Sequence, residues 1–380
     1  MKKIILIFVL VLSLLQCKVY AETDEIMSST QEKFNISDFI KEAEEYMGDS
    51  FGEVDLSEIL NQTIQGKIDN KSIYQKIIKL FGKEINSNLK ILISILVIIV
   101  IHGILKSIAD NLKNTSISQI IYFVQYILIL TLIMSNFTEI IKMVKDTTNN
   151  LVGFINMLMP LLLTLMVYTG NIATSTIIQP IILFICNFIG NIISDILIPI
   201  VLLIIVFSII SKISDKVQID KISKFLKSGV VWFLGVTLTV FVGVVSLEGT
   251  LSSSVDGITA KTAKSAVSSM IPVVGKVLGD VVDSVLGCGV ILKNAIVFIG
   301  VIVVLGICIV PIIKFGILSI IYNFGSAIIQ PVADEKIVKL LDEIGGVVKL
   351  LFGILCSLSV LLIIGITMVI KISNSGMMSR

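Results

Sequence analysis

The sequence predicts an all-α, polytopic integral membrane protein, with about seven to eight transmembrane helices after an N-terminal signal peptide. Three observations predict it. Of the 380 residues, 55% are hydrophobic and 15% charged, where soluble domains carry about 25% charge. The mean hydropathy of +1.00 is too high for a water-solvated surface. The apolar residues also run in stretches of roughly 20, the length that spans a bilayer as a helix. In hydrocarbon, backbone N–H and C=O groups must pair within the segment, so each stretch is expected to be helical. The abundant Ile and Val would suggest strands in water. Barrel strands, however, run about 10 residues with alternating polarity, and these segments do not alternate.

The chain begins Met1-Lys2-Lys3, followed by an apolar run from Ile4 to Leu15. That pattern reads as a secretory signal peptide over 1–21, with cleavage after Ala21 or retention as an anchor. Gln16 before Cys17 fits lipidation poorly. Residues 22–88 hold 14 of the chain's 28 acidic residues and seven lysines. An acidic, lysine-poor stretch is readily translocated, so this segment is expected outside the cytoplasm and partly helical. Ile36, Phe39, Ile40 and Ala43 fall at helical spacing with Ser37 as the expected cap. Ile73, Ile77, Leu80 and Phe81 suit a second amphipathic helix. The segment reads equally as a contact module or as a solvated spacer.

The membrane domain, 89–247, holds apolar segments near 89–108, 118–137, 151–169, 176–193, 196–211 and 229–247. Counting crossings from outside puts the loop 212–227 in the cytoplasm. That loop carries Lys212, Lys216, Lys221, Lys224 and Lys227 against Asp215 and Asp220, so the positive-inside rule agrees. The lysines either fix topology or form a cytoplasmic docking surface. Ile213, Val217, Ile222, Phe225 and Leu226 give the loop an apolar side suited to an anionic leaflet. A tight turn is expected between the fourth and fifth segments, where Asn187, Asn191, Ser194 and Asp195 precede Pro199. Pro160 and Pro180 are expected to kink their helices. His102 is the only histidine and cannot form a metal site alone. Cys186, Cys288, Cys308 and Cys356 lie in apolar segments without CxxC spacing and read as small hydrophobes.

After Leu247 the composition turns small and polar. Residues 248–286 are expected to form an amphipathic extracytoplasmic or re-entrant segment. Val277, Val281, Val282 and Val285 lie on one side, and Pro272 acts as a breaker. Residues 287–380 then supply the C-terminal membrane helices: 288–310, then 312–330, which Pro311 and Lys314 interrupt and which is either an eighth crossing or a re-entrant hairpin, and 346–371. Lys293 is expected to snorkel to the outer interface, or else to face the bundle. The mild acidity of 331–345 places that loop outside, and the last helix would then end inside.

Gly249-Thr250, the run Thr259-Ala-Lys-Thr-Ala-Lys264, Ile271-Pro-Val-Val-Gly275, Asp280, Leu292-Lys293-Asn294, Pro311, Tyr322, Gln330-Pro331 and the Met377-Met378 tail carry a resemblance. In order and spacing, 248–380 resembles the stage III sporulation protein AE family. Asn323 departs from it, because a lysine often follows the tyrosine there. The resemblance implies a membrane component of a sporulation-specific secretion or feeding channel between mother cell and forespore. It also implies the partners: other stage III sporulation A-type proteins, including a cytoplasmic ATPase and ring-forming subunits, and stage II sporulation protein Q from the forespore. The expected location is the mother-cell membrane around the forespore, amid membrane lipids. Candidate lumen or interface residues are Lys261, Lys264, Pro272, Gly275, Asp280, Lys293 and Asn294.

The sequence holds no GxxxxGK[ST] phosphate loop, HExxH or GxSxG motif, so neither enzyme activity nor a cofactor is predicted. A net charge of +2 gives no field for nucleic acid. An autonomous secondary transporter is the alternative reading, although no internal repeat is evident. A structural anchor that recruits partners through 22–88 is a third.

Overall fold

A computed structural model describes residues 24–48, 55–65, 115–213, 219–270, 274–331 and 333–378, with isolated positions between 82 and 104. Side chains of 24–26, 115–119, 178, 213, 248–284 and 372–378 are outside that description. The signal peptide, Cys17, the helix expected around Ile73–Phe81, most of segment 89–108, His102, Lys216 and Pro272 also lie outside the described residues.

Nine α-helices are described: α1 Asp24–Lys33, α2 Ile36–Met47, α3 Leu56–Ile64, α4 Thr115–Tyr168, α5 Ile172–Ile192, α6 Ile198–Ile213, α7 Asp220–Met270, α8 Val274–Ile329 and α9 Glu335–Met378. A π-helical turn, Ile193–Leu197, joins α5 to α6. The described residues contain no strand. They contain five helical stretches long and apolar enough to cross a membrane: Ile120–Tyr168, Ile172–Lys212, Asp220–Leu247, Val285–Ile329 and Glu335–Lys371.

These five run in alternating directions. Asn156 faces Asn187 and Tyr126 faces Ile209, so α4 and α5–α6 are antiparallel. Gly345 lies against Tyr322 and Ser359 against Cys308, so α8 and α9 are antiparallel as well. α8 and α9 form the buried centre. Leu292, Ile296, Ile299, Val303, Val304 and Phe315 on α8 are fully enclosed, as are Leu351, Ile354, Leu355 and Ile366 on α9. Small residues permit this closeness. A Cβ at Gly345 would stand 2.7 Å from Asn323 Oδ1 of α8, and one at Gly300 would stand 3.5 Å from Ile366 of α9 and 2.8 Å from Leu158 of α4.

The structure divides the apolar sequence differently from a hydropathy reading. Segments 118–137 and 151–169 both belong to α4, because the polar stretch between them stays helical. Segments 176–193 and 196–211 continue through the π turn rather than reversing, which corrects the expected tight turn. Pro199 has no N–H and its ring clashes with the carbonyl four residues back. A widened turn before it absorbs that defect without breaking the helix. Pro311 likewise sits inside α8, so 288–310 and 312–330 are one helix and no re-entrant hairpin forms there. Residues 248–270 continue α7, and 274–286 open α8.

The N-terminal helices pack against the bundle. Ile36, Phe39, Ile40, Ala43 and Met47 form the buried face of α2, as their spacing predicts. Asn35, not Ser37, precedes the helix, in the left-handed region at φ 49°, which Asn tolerates better than most residues. α3 begins where Asp55 Oδ1 accepts from the Glu58 N–H at 3.0 Å. Glu44 Oε1 accepts from the Leu56 N–H at 3.1 Å and ties α2 to α3. Phe34 meets Tyr168 edge to face at 5.3 Å, Phe39 lies 6.4 Å from Phe154, and Met47 covers Gly306.

Candidate functional site

Two polar clusters stand out in an otherwise apolar bundle, one at each end. At the first, four helices converge. Lys212 closes α6, Asp220 opens α7, and Glu343 lies in the third turn of α9. The Lys212 ammonium is 3.1 Å from Asp220 Oδ1 and 3.1 Å from Glu343 Oε1, and its residue is 6% exposed. Glu343 Oε2 is buried without a hydrogen-bond partner among the described residues. Lys227 donates to the Glu343 carbonyl at 3.5 Å.

Two tyrosines of α4 complete the cluster. Tyr126 donates to the Ile209 carbonyl at 2.7 Å and Tyr122 to the Lys212 carbonyl at 3.1 Å. The Lys212 carbonyl is among the last four of α6, which lack intrahelical partners, while the Ile209 carbonyl takes the Tyr126 hydroxyl in its last full turn. The Lys336 ammonium stands 5.9 Å from the Tyr122 ring centroid. Ser208 and Ser223 meet at 3.3 Å between α6 and α7. The arrangement is a clamp. It fixes the ends of α6 and α7 to the start of α9.

This geometry corrects one expectation about topology. Loops 212–227 and 331–345 were expected on opposite sides of the membrane. A 3.1 Å ion pair between Lys212 and Glu343 puts them at the same end. Of the acids of 331–345, Glu343 meets Lys212 across this end and Glu335 pairs with Lys339 on α9 itself.

At the other end, α4 turns into α5 through Tyr168–Asn171, with Gly170 at φ 81°. Thr169, Asn171, Thr174 and Ser175 are buried there. Asn171 Nδ2 donates to Thr169 Oγ1 at 3.0 Å, and Ser175 Oγ to the Ile172 carbonyl at 2.8 Å. Gly289 of α8 fits against this turn, since a Cβ would stand 2.8 Å from the Tyr168 ring. One turn further along α8 is Lys293. It is 0% exposed, which corrects the snorkelling expectation: the side chain is enclosed by the bundle. A helical residue's direction is fixed by register, and Leu292, Ala295 and Ile296 around Lys293 are buried too. Beside it, Asn294 Oδ1 is buried with no hydrogen-bond partner among the described residues.

The remaining predicted residues are dispersed. Lys261 and Lys264 lie on the C-terminal part of α7, and Gly275 and Asp280 in the first turns of α8. Lys221 and Lys224 are exposed beside outward-facing Ile222 and Phe225, while Lys227 is half-buried. Lys212 is inside the clamp and presents no surface. Sequence reasoning missed Tyr122 and Tyr126, whose spacing of four on a helix could have flagged a shared face. It also missed the charged residues of α4 between 139 and 146. The described residues contain no cluster of His, Cys, Asp and Glu able to hold a metal.

Comparison with known proteins bears on all five long helices. The family described as Stage III sporulation protein AE (spore_III_AE) matches residues 54–373. Stage III sporulation protein AE of Bacillus subtilis (strain 168) is 29% identical over 297 residues, covering 78% of this chain and 74% of that protein. No solved structure matches. A match that runs from α3 almost to the end of α9 leaves one assignment: the chain belongs to the stage III sporulation protein AE family.

Proposed function

We propose that this multi-pass membrane protein is a helical platform in a trans-envelope channel linking mother cell and forespore. Membership of the family gives it a role in sporulation. The observation that carries the reading is the extent of that match, which spans the clamp, the buried Lys293 and the whole of the α8–α9 centre. A separate cytoplasmic ATPase would drive export, since the sequence carries no phosphate loop. Ring-forming stage III sporulation A-type proteins and stage II sporulation protein Q would complete the conduit across the intermembrane space.

Orientation follows from parity. With 22–88 exported and 89–108 crossing, α4 leads outward, α5–α6 inward, α7 outward, α8 inward and α9 outward. Merging two pairs of segments before residue 212 removes two crossings, so loop 212–227 stays cytoplasmic. Merging 288–310 with 312–330 removes one, so 331–345 moves inside and the C-terminus outside. Both lysine-bearing loops then lie on the cytoplasmic side, as the positive-inside rule asks.

The test is crosslinking and co-purification of the full chain from sporulating cells. Recovery of the ATPase and ring-forming proteins supports the reading. Recovery of none of them, with solute uptake by the purified chain alone in liposomes, would replace it with an autonomous transporter.

A further inference from the structure

The lysines near the clamp stand in two settings. Lys212 is neutralised by Asp220 and Glu343. Lys227 of α7 and Lys349 of α9 are not, since among the described residues neither forms an ion pair. Lys227 follows Asp220 by seven residues and Lys349 follows Glu343 by six. Both therefore lie about 9–10 Å along their helices from the clamp, at ~1.5 Å per residue. Around that depth α7 turns Phe225, Val231 and Trp232 outward. A lysine in such surroundings is costly unless its charge is met or carried back to the interface.

The two lysines meet beside one glycine. A Cβ at Gly346 would stand 3.6 Å from Lys227 Nζ, and Lys349 lies three residues on, on the same helix face. Both helices begin at the clamp end, and helical side chains lean toward the N-terminus. Lys227 accordingly reaches the Glu343 carbonyl at 3.5 Å, and Lys349 is inclined the same way. Asp342, exposed one turn nearer the clamp end, offsets one of the two charges and leaves the pair net positive. Beyond exposed Lys349, the outer edge of α9 continues through half-exposed Gly353, Cys356 and Val360, while Leu351, Ile354 and Leu358 turn inward. α7 flanks this edge at Lys227 and, deeper, where Phe241 lies against Gly365; α8 flanks it where Gly316 lies against Phe352. Among the described residues nothing comes within 4 Å of a Cβ built at Gly353. The edge is thus a trough with α9 as its floor. Lys349 to Val360 rises about 16 Å, close to the ~15 Å of one leaflet, half of a ~30 Å hydrocarbon core. Positive charge at the mouth and an apolar floor one leaflet deep match the form of a phospholipid, and basic pockets between membrane helices hold anionic headgroups on the cytoplasmic side.

We propose that this trough on α9, between α7 and α8, seats one anionic phospholipid of the clamp-side leaflet. Its phosphate sits on Lys227 and Lys349, and an acyl chain lies along Gly353 and Val360. The proposal stands independently of the channel reading.

The full chain, purified in a non-ionic detergent and washed free of loose lipid, is mixed with dioleoyl phosphatidylglycerol or with dioleoyl phosphatidylcholine. Native mass spectrometry then counts the lipid retained, and melting is followed in the same samples. One phosphatidylglycerol per chain and a raised melting temperature are expected, with phosphatidylcholine held about tenfold more weakly. Lys227→Gln with Lys349→Gln should weaken phosphatidylglycerol retention about tenfold or more. Lys221→Gln with Lys224→Gln, on the exposed face of α7, should leave it nearly unchanged. Gly353→Leu has room for its side chain and should melt like the parent without lipid, yet lose retention with every charge intact. Equal retention of both lipids overturns the proposal, as does retention that survives either the Lys227–Lys349 change or Gly353→Leu. Equal losses from the two lysine pairs would mean diffuse attraction to the surface, and an equal melting gain from inorganic phosphate would mean a site for a free anion; each overturns it. A crosslink from Lys349 to any protein segment outside α7–α9, in membranes of sporulating cells, would put protein in the trough and overturn it too. Should the double lysine variant fail to fold, Gly353→Leu decides. None of these results touches the channel reading, which co-purification decides.

Discussion

The two ends of the bundle bury polar groups by different means. At the clamp, full charges meet: Lys212 lies between Asp220 and Glu343, with Tyr122 and Tyr126 bonded to carbonyls near the end of α6. At the α4–α5 turn the bonds are short-range and neutral, between Thr169, Asn171, Ser175 and their own backbone, and packing against Gly289 does the joining. Paired charges tie together distant pieces of chain. Neutral local bonds shape one turn and leave assembly to steric fit. The clamp is therefore expected to respond to charge changes, and the turn to changes of volume.

Removing both counter-charges of Lys212 should break this contrast most sharply. Asp220→Ala with Glu343→Ala strands a buried ammonium, and breaking a buried pair costs about 3–5 kcal/mol. A large drop in melting temperature in detergent is expected, with Lys212→Met in the same background recovering much of it. If the double substitution melts like the parent, the clamp is ornamental. Volume is the lever at the other end. Gly289→Leu drives a side chain into Tyr168 and Thr169 and should cost about 1–3 kcal/mol, whereas Asn171→Asp, which adds charge at similar volume, tests whether that end tolerates charge. A smaller effect is expected from Tyr126→Phe, which deletes one hydroxyl bond to Ile209 O worth about 1 kcal/mol. The smallest concerns Asn35. Asn35→Gly should hold or raise stability by a few tenths of a kcal/mol, because the left-handed backbone suits glycine; Asn35→Val at the same φ should lower it.

The sequence was legible where the signal is local. Helical spacing gave the buried face of α2 from Ile36, Phe39, Ile40 and Ala43, and apolar length gave the membrane-spanning helical class. It was less legible where a polar stretch interrupts an apolar one. Hydropathy averages composition and carries no information on backbone continuity, so α4 was split at 138–150 and α8 at Pro311. Asp55 and Glu58 sit at N-cap and third-position spacing and mark the start of α3, whose nine residues are too few for periodicity alone to announce a helix. Lys293 shows a different limit. One buried lysine in a greasy helix is equally consistent with either face until the neighbours are known. The pairing of Lys212 with Glu343 depends on four helices meeting, and no window along the chain contains it.

One consequence follows from the outward face of α7. Trp232 is the chain's single tryptophan and is 69% exposed there. Tryptophan emission from the intact protein therefore originates at one address on the outward face of α7. Brominated lipids will quench it when acyl chains touch that helix, and a blue shift or loss of quenching on adding a purified partner will announce that a protein has taken their place. The molecule carries its own optical gauge of what surrounds it, with no label attached.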